Sequence, residues 1–128
     1  MFCRPDLIYH DSLEKVIRAV AVMEGDVICV PDWQHWKRGY NDRFAVCRGE
    51  RAAFAYASRL NSVHDYVEKK RKSLHAEKLL RHVVETSGVE ARVFPEKASR
   101  VRAGGVIHKE RFSKRKAVGL QYIYPQVD

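Results

Sequence analysis

Two segments of the sequence combine the residue types that bind phosphates and nucleobases. The first, residues 31–43, interleaves aromatic side chains with lysines and arginines and contains both tryptophans of the chain. Aromatic rings stack on unpaired bases while nearby cations hold phosphates, and proteins that bind single strands use both. The alternative is a structural role, because tryptophan is usually well buried. The candidate nucleic-acid-binding residues of this segment are Trp33, Trp36, Tyr40, Lys37 and Arg38.

The second segment, residues 97–116, carries most of the net positive charge. It holds eight Lys and Arg residues and a single acidic residue, Glu110, which gives +7 out of the +8 of the whole chain. Basic side chains along a hairpin and at its tip can follow a phosphate backbone. The alternative is a solvated surface whose lysines protect sheet edges from aggregation. The candidate phosphate-binding residues of this segment are Arg100, Arg102, Lys109, Arg111, Lys114, Arg115 and Lys116.

A third basic run, Lys69-Lys70-Arg71-Lys72, falls in a segment with helical periodicity. Four successive residues on a helix point to several faces and do not form one stripe. We therefore interpret this run as a solvated helix turn, with a phosphate contact or a nuclear-localisation-like signal as the alternatives.

Histidines offer a catalytic alternative to simple binding. A metal-free ribonuclease needs a histidine with a second histidine or a carboxylate, and a cation for the charge that develops on phosphorus. His108 and Glu110 share one face of a predicted strand, and His35 lies between the two tryptophans. A half-buried histidine satisfied by its neighbour is the favoured interpretation, so we assign no catalytic residue.

Cofactor and metal motifs are absent from the sequence. Cys3, Cys29 and Cys47 have spacings that match no zinc pattern, and Cys29 and Cys47 lie in apolar runs typical of buried strands. No phosphate-binding glycine motif or catalytic serine motif occurs. We therefore expect neither a cofactor nor a metal.

Hydrophobic periodicity predicts the first elements. Apolar residues recur at helical spacing in residues 12–23, and Gly25 is placed to end that helix. Residues 7–9 are expected to form a short edge strand before it. The short apolar runs at 26–30 and 44–48 predict two buried strands.

The middle of the chain reads as helical. Residues 50–87 keep a helical period, which we expect to be divided into two or three helices with a break near residue 61 or 73. Residues 89–93 then alternate as a strand that stops at Pro95.

The last part of the chain predicts a β-hairpin and completes the fold class. Residues 106–112 and 118–124 both alternate in polarity, and the four-residue link Ser113–Lys116 has a common hairpin length. The sequence therefore predicts an α+β fold with an antiparallel sheet of about five strands. Two to three helices would pack mainly on one face of it.

Length and composition restrict the class of protein. A chain of 128 residues with 45% hydrophobic and 31% charged residues is expected to form one compact domain, residues 1–128. It is too apolar for a disordered chain and too polar for a membrane protein. Its first residues lack the plan of a signal peptide. We therefore expect a cytoplasmic protein without a membrane partner.

Charge and aromatic residues together predict a small, non-catalytic nucleic-acid-binding protein that prefers RNA or single strands. One alternative is an interaction module or inhibitor, of viral or mobile-element origin, that docks on an acidic surface of a larger complex. Its aromatic residues would then be interface hot spots. The other alternative is a small histidine-dependent nuclease that uses His108 or His35.

Overall fold

A four-stranded mixed sheet forms the centre of the computed structural model, which describes residues 1–70, 73–113 and 119–126. Its strands stand in the order β3-β2-β4-β6. The strands are β2 (Val27–Pro31), β3 (Val46–Arg48), β4 (Glu90–Phe94) and β6 (Gln121–Tyr122). Strand β2 pairs antiparallel with β3 and parallel with β4, and β4 pairs parallel with β6. A separate antiparallel pair joins β1 (Leu7–Tyr9) to β5 (Ala98–Arg100).

Strand β2 is covered on both faces. All five of its residues are buried, as expected for an apolar run that lies inside a sheet with two covered faces. Successive side chains of a strand point to opposite faces. Ile28 and Val30 accordingly join one hydrophobic cluster, while Val27 and Cys29 join the other.

Helices cover the first face of the sheet. They are α2 (Glu50–Ala57), α3 (Val63–Lys70) and α4 (Ala76–Ser87), with a 3₁₀ turn at Arg59–Ser62 between the first two. Their buried side chains, such as Leu80 on α4, pack against the Ile28 side of β2. The predicted division of residues 50–87 into helices is therefore confirmed, with breaks near both residues that the sequence indicated.

The opposite face is covered by the first helix and by aromatic residues. Helix α1 (Glu14–Ala21) contributes Val16 and Val20, which pack with Trp33, Phe44 and Phe94. Helices thus lie on both faces of the sheet, although most are on one. Among the described residues, no helix has the length and apolarity needed to span a bilayer.

The α+β class is confirmed, but the single antiparallel sheet is wrong. The chain between β2 and β4 contains β3 and all three helices of the first face, and β4 returns parallel to β2. Two parallel strands of one sheet must be joined by a long crossover, and the helices between β2 and β4 provide it. The strand pattern alone does not distinguish this parallel pairing from an antiparallel one.

The predicted C-terminal hairpin is also wrong. Residues 106–112 form no strand; only an isolated bridge joins Ile107 to Val101, and Val106 and Ile107 are exposed. Strand β6 pairs instead with the open edge of β4, where it satisfies backbone groups that would otherwise be unpaired. Residues 114–118, which include most of the predicted hairpin loop, lie outside the described residues.

Two glycines fix the helices to the sheet and to the loop before β3. Gly49 has φ +89°, and a Cβ atom there would lie 2.3 Å from Oδ1 of Asp26. That oxygen accepts a hydrogen bond from the backbone N–H of Ala52 (3.1 Å), so Asp26 caps the start of α2. A Cβ atom on Gly39 would lie 2.2 Å from the backbone carbon of Glu77 in α4. The neighbouring Tyr40 N–H donates to the carbonyl of Glu77 (2.9 Å).

Replacement of Gly39 tests this close approach. Because φ at Gly39 is −82°, the backbone conformation suits any residue, and the cost of Gly39→Ala is purely steric. We expect the free energy of unfolding to fall by about 2–3 kcal/mol, measured by urea denaturation. The matched control is Gly88→Ala, where φ is +72° but space is open, and the expected loss is about 1 kcal/mol. A Gly39→Ala variant as stable as the wild type would contradict this packing.

Candidate nucleic-acid interface

The loop between β2 and β3 is held together by one buried amide. Asn41, which is 1% exposed, donates from Nδ2 to the carbonyl of Trp33 (2.6 Å) and accepts at Oδ1 from the N–H of Arg43 (2.9 Å). Its own backbone N–H donates to Nδ1 of His35 (3.1 Å). These bonds fold residues 33–43 into a defined shape without regular strands.

This loop contains three residues with left-handed backbone conformations. Gln34, Lys37 and Arg38 have φ of 58°, 47° and 65°, and none is glycine. Each such conformation costs roughly 1–3 kcal/mol and persists only where the surroundings enforce it. One enforcing contact is the bond from Nη1 of Arg81 on α4 to the carbonyl of Arg38 (2.8 Å). The loop is therefore held in a strained form that turns Lys37 and Arg38 outward, since both are exposed.

Trp33 does not belong to the interface. Its side chain is fully buried, its Nε1 donates to the carbonyl of Glu96 (3.0 Å), and its ring meets Phe112 edge-on with centroids 4.9 Å apart. A ring with no accessible face cannot stack on a base, so the sequence-based assignment of Trp33 to binding is corrected. Trp36 and Tyr40 are half-buried and remain candidates.

The two predicted segments meet at one cavity, which we call the Trp36 cavity. It has a volume of about 260 Å³ and is lined on the loop side by Gln34 and Trp36. The other wall comes from strand β5 and the residues that follow it. The residues of that wall are Arg100, His108, Lys109, Glu110 and Arg111. An indole ring and three of the predicted phosphate-binding cations therefore share one cavity, although the sequence separates them by more than 60 residues.

A buried ion pair fixes the two walls of the Trp36 cavity to each other. Nη1 of Arg43 lies 2.6 Å from Oε1 of Glu110, and the two side chains are only 9% and 1% exposed. Nε of Arg100 donates to the same carboxylate oxygen (3.1 Å). Burial lowers the pKa of Arg43, and the charge of Glu110 opposes that shift. Both guanidinium groups contact Oε1 of Glu110, so this carboxylate anchors the two walls to each other.

The surroundings of His35 also give this residue a structural role. The side chain is buried, and its Nδ1 accepts the hydrogen bond from Asn41, so the ring proton lies on Nε2. Burial holds the pKa of His35 below its usual value, although the backbone of Pro31 and Gly39 and the charge of Asp32 oppose the shift. A buried neutral histidine of this kind positions the loop and does not face solvent.

A second basic cavity lies between the same loop and the helices. This helix cavity has a volume of about 310 Å³ and gathers cations from three parts of the chain. Its lining residues are Lys37, Arg38, Tyr66, Lys70, Lys78, Arg81, His82 and Glu85. The sequence alone does not predict the helix cavity, because the basic run that contains Lys70 is typical of a solvated helix turn. The available signal was the spacing of Lys78 and Arg81, which puts both on one face of α4.

The remaining predicted residues are distributed as follows. The guanidinium carbon of Arg81 lies 5.6 Å from the centroid of the Tyr40 ring. Arg102 is exposed and precedes the 3₁₀ turn at Ala103–Gly105. Lys114, Arg115 and Lys116 lie outside the described residues.

Metal and thiol chemistry find little support in the described part of the chain. No group of three or more His, Cys, Asp and Glu side chains is placed there to hold a metal ion. Burial raises the pKa of the Cys29 thiol to about 12 and that of Cys47 to about 11, so both stay protonated near neutral pH.

Comparison with protein-family models, with curated proteins and with solved structures finds no match to this chain.

The lowered pKa of His35 predicts a pH dependence of stability. Because the unfolded chain takes up a proton at His35 more readily than the folded chain, stability should be lost as the pH falls through about 6.5. The variant His35→Asn retains an acceptor for the Asn41 amide and cannot titrate. We expect its stability to fall less than that of the wild type between about pH 7.5 and about pH 5.5.

Chemical denaturation at a series of pH values measures this difference. The matched control is His64→Asn, on the exposed side of α3, which should keep the wild-type pH profile. If wild type and His35→Asn lose stability in parallel as the pH falls, His35 is not the group responsible.

Proposed function

We propose that this protein binds nucleic acid, with RNA or single strands slightly preferred, and that it does so without cleaving it. The observation that carries the proposal is the Trp36 cavity, where an indole ring and three cations line one concave surface. Aromatic rings provide stacking for bases of any identity, and cations hold the adjacent phosphates.

The rigidity of the cavity walls supports binding. The Arg43–Glu110 pair joins the walls, and the hydrogen bonds of Asn41 define the loop that carries Trp36. Preorganised side chains lose less conformational entropy when a ligand binds. The exposed Lys109 and Arg111 are the cations best suited to phosphates, since Arg100 already contacts Glu110.

We expect binding that depends strongly on charge and only weakly on base sequence. Phosphate contacts carry no sequence information, and specificity comes from base edges. Among the described residues that line the Trp36 cavity, Gln34 carries the one side-chain amide, and its Oε1 already accepts from Nε1 of Trp36 (2.9 Å), which limits its use in reading a base edge. The protein should therefore bind many sequences with similar affinity.

Catalysis has less support than binding. His108 lines the Trp36 cavity, which favours it over the buried His35 as a nuclease residue. The adjacent carboxylate, Glu110, is held by two arginines, so His108 lacks the predicted acid–base partner. Incubation with labelled RNA, with and without divalent cations, should leave it intact, and cleavage that His108→Ala abolishes would overturn this part of the proposal.

Fluorescence anisotropy tests the proposal directly. Labelled single-stranded RNA, single-stranded DNA and duplex DNA would each be titrated at about 50 mM and about 200 mM salt. We expect the single strands to bind more tightly and the affinity to fall steeply with salt, because bound phosphates release counterions. Absence of binding at low salt would overturn the proposal and leave an acidic protein surface as the alternative partner.

Two kinds of substitution should separate stacking from charge. Lys109→Ala and Arg111→Ala should each lower the slope of log affinity against log salt by about one. Trp36→Ala should weaken single-strand binding by roughly 1–3 kcal/mol and leave that slope unchanged. The charge-matched control is Arg18→Ala on α1, whose exposed side chain pairs with Glu14. Equal effects of Arg18→Ala and Arg111→Ala would show that binding is not localised at the Trp36 cavity.

A further inference from the structure

We propose that the helix cavity binds a phosphate monoester, namely the phosphorylated end of a strand whose terminal nucleotide lies in the Trp36 cavity. This inference rests on the proposed function and specifies the part of the nucleic acid that is recognised. It concerns residues of α3 and α4 that the Trp36 cavity does not include. Three observations carry it: the charge of the lining, the strained loop, and the adjacency along the chain of the loop residues that line the two cavities.

The lining of the helix cavity is strongly cationic. Five of its eight residues are lysine or arginine, contributed by the loop, by the end of α3 and by one face of α4. The single carboxylate is that of Glu85, whose Oε1 accepts from Nε of Arg81 (2.7 Å). The pKa of Arg81 is raised by this hydrogen bond, so the guanidinium keeps its charge. Like charges drawn together in one cavity destabilise a free protein and favour an anionic ligand.

The strained loop directs two of these cations into the helix cavity. Lys37 and Arg38 both have left-handed backbone conformations and both line the cavity. The Arg81 bond to the Arg38 carbonyl and the Tyr40 bond to the Glu77 carbonyl hold the loop on α4. Backbone strain that the surrounding structure enforces is typical of ligand sites. Here its consequence is the placement of two positive charges opposite those of α4.

The charge of the helix cavity favours a phosphate monoester over the diester backbone. Five cations from three parts of the chain line this one cavity of about 310 Å³. A monoester carries about −1.5 to −2 charges at neutral pH and presents three acceptor oxygens, whereas a backbone diester carries one charge. The monoester therefore gains more from several converging donors. Internal phosphates are left to the exposed Lys109 and Arg111 of the Trp36 cavity.

Neighbouring residues of the loop line the two cavities. Trp36 lines the Trp36 cavity, and the next two residues, Lys37 and Arg38, line the helix cavity. A strand that contacts Trp36 therefore contacts a residue directly adjacent in the chain to two cations of the helix cavity. A terminal phosphate on the nucleotide at Trp36 can enter the helix cavity, while the rest of the strand continues along the basic segment after β5.

Matched oligonucleotides test this assignment. Three versions of one single-stranded RNA would be compared by fluorescence anisotropy with an internal label: a 5′-phosphate, a 3′-phosphate and hydroxyl groups at both ends. We expect one phosphorylated version to bind the wild type about tenfold more tightly than the hydroxyl version. Equal affinity for all three would overturn the inference and leave the proposed function intact.

Three variants locate the effect. Lys70→Ala and Lys78→Ala should each reduce the preference for the phosphorylated end while keeping the affinity for the hydroxyl strand. Lys69→Ala is the matched control: it neighbours Lys70 on α3, pairs with Asp65 (3.2 Å) and does not line the cavity. A preference that survives in Lys70→Ala and Lys78→Ala would overturn the inference. Thermal melting of each variant checks that it is folded.

A free ligand separates the two proposals if no strand binds. A nucleoside 5′-monophosphate and inorganic phosphate would be titrated into the wild type and into Lys78→Ala by calorimetry. Saturable binding to the wild type alone would support the helix cavity as a monoester site even though the nucleic-acid proposal had failed. No binding of either compound, together with no binding of a phosphorylated strand, would overturn both.

Discussion

The buried ion pair between Arg43 and Glu110 is the interaction on which the candidate site depends. Two charges that are almost completely removed from water stabilise each other only in good geometry, and loss of one leaves the other uncompensated at a cost of about 3–5 kcal/mol. Replacement of both by apolar residues could be as stable, so the pair is better explained by position than by stability. It fixes residues 108–112, which form no strand, against the loop that carries Trp36.

Buried side-chain hydrogen bonds explain how the loop of residues 33–43 keeps its shape without regular strands. Loops that leave backbone groups buried need side chains to satisfy them, and Asn41 does so for Trp33 and Arg43. The glycine at position 39 then brings the loop so close to α4 that backbone meets backbone. Three residues of this loop have left-handed backbone conformations. Strain in the loop, the buried amide and the ion pair are thus parts of one arrangement.

The sequence predicted what depends on local periodicity and missed what depends on long-range contact. The amphipathic helices, the buried strand β2 and the α+β class follow from the spacing of apolar residues. The parallel pairing of β2 with β4 does not, because it is decided by the crossover between them. For the site, residue type indicated Trp36 and the basic segment as candidates, and the structure places Trp36 in one cavity with Arg100, Lys109 and Arg111. Residue type could not show that Trp33 is core, or that Lys70 and Lys78 converge across two helices.

The clustering of cations around the two cavities supports the proposed function more than the net charge of the chain does. Several carboxylates with arginine partners away from the two cavities, such as Asp6, Glu14 and Glu90, form exposed pairs that contribute little to stability. Around the two cavities, by contrast, cations outnumber carboxylates, and each cavity has only one carboxylate in its lining. Both of those carboxylates already hold arginines. Repulsion among the cations therefore opposes the folded state, and by linkage an anion that bound there would stabilise the folded chain, the more so the more tightly it bound. An excess of charge that is uniform over the surface would have no such preference for a compact anion.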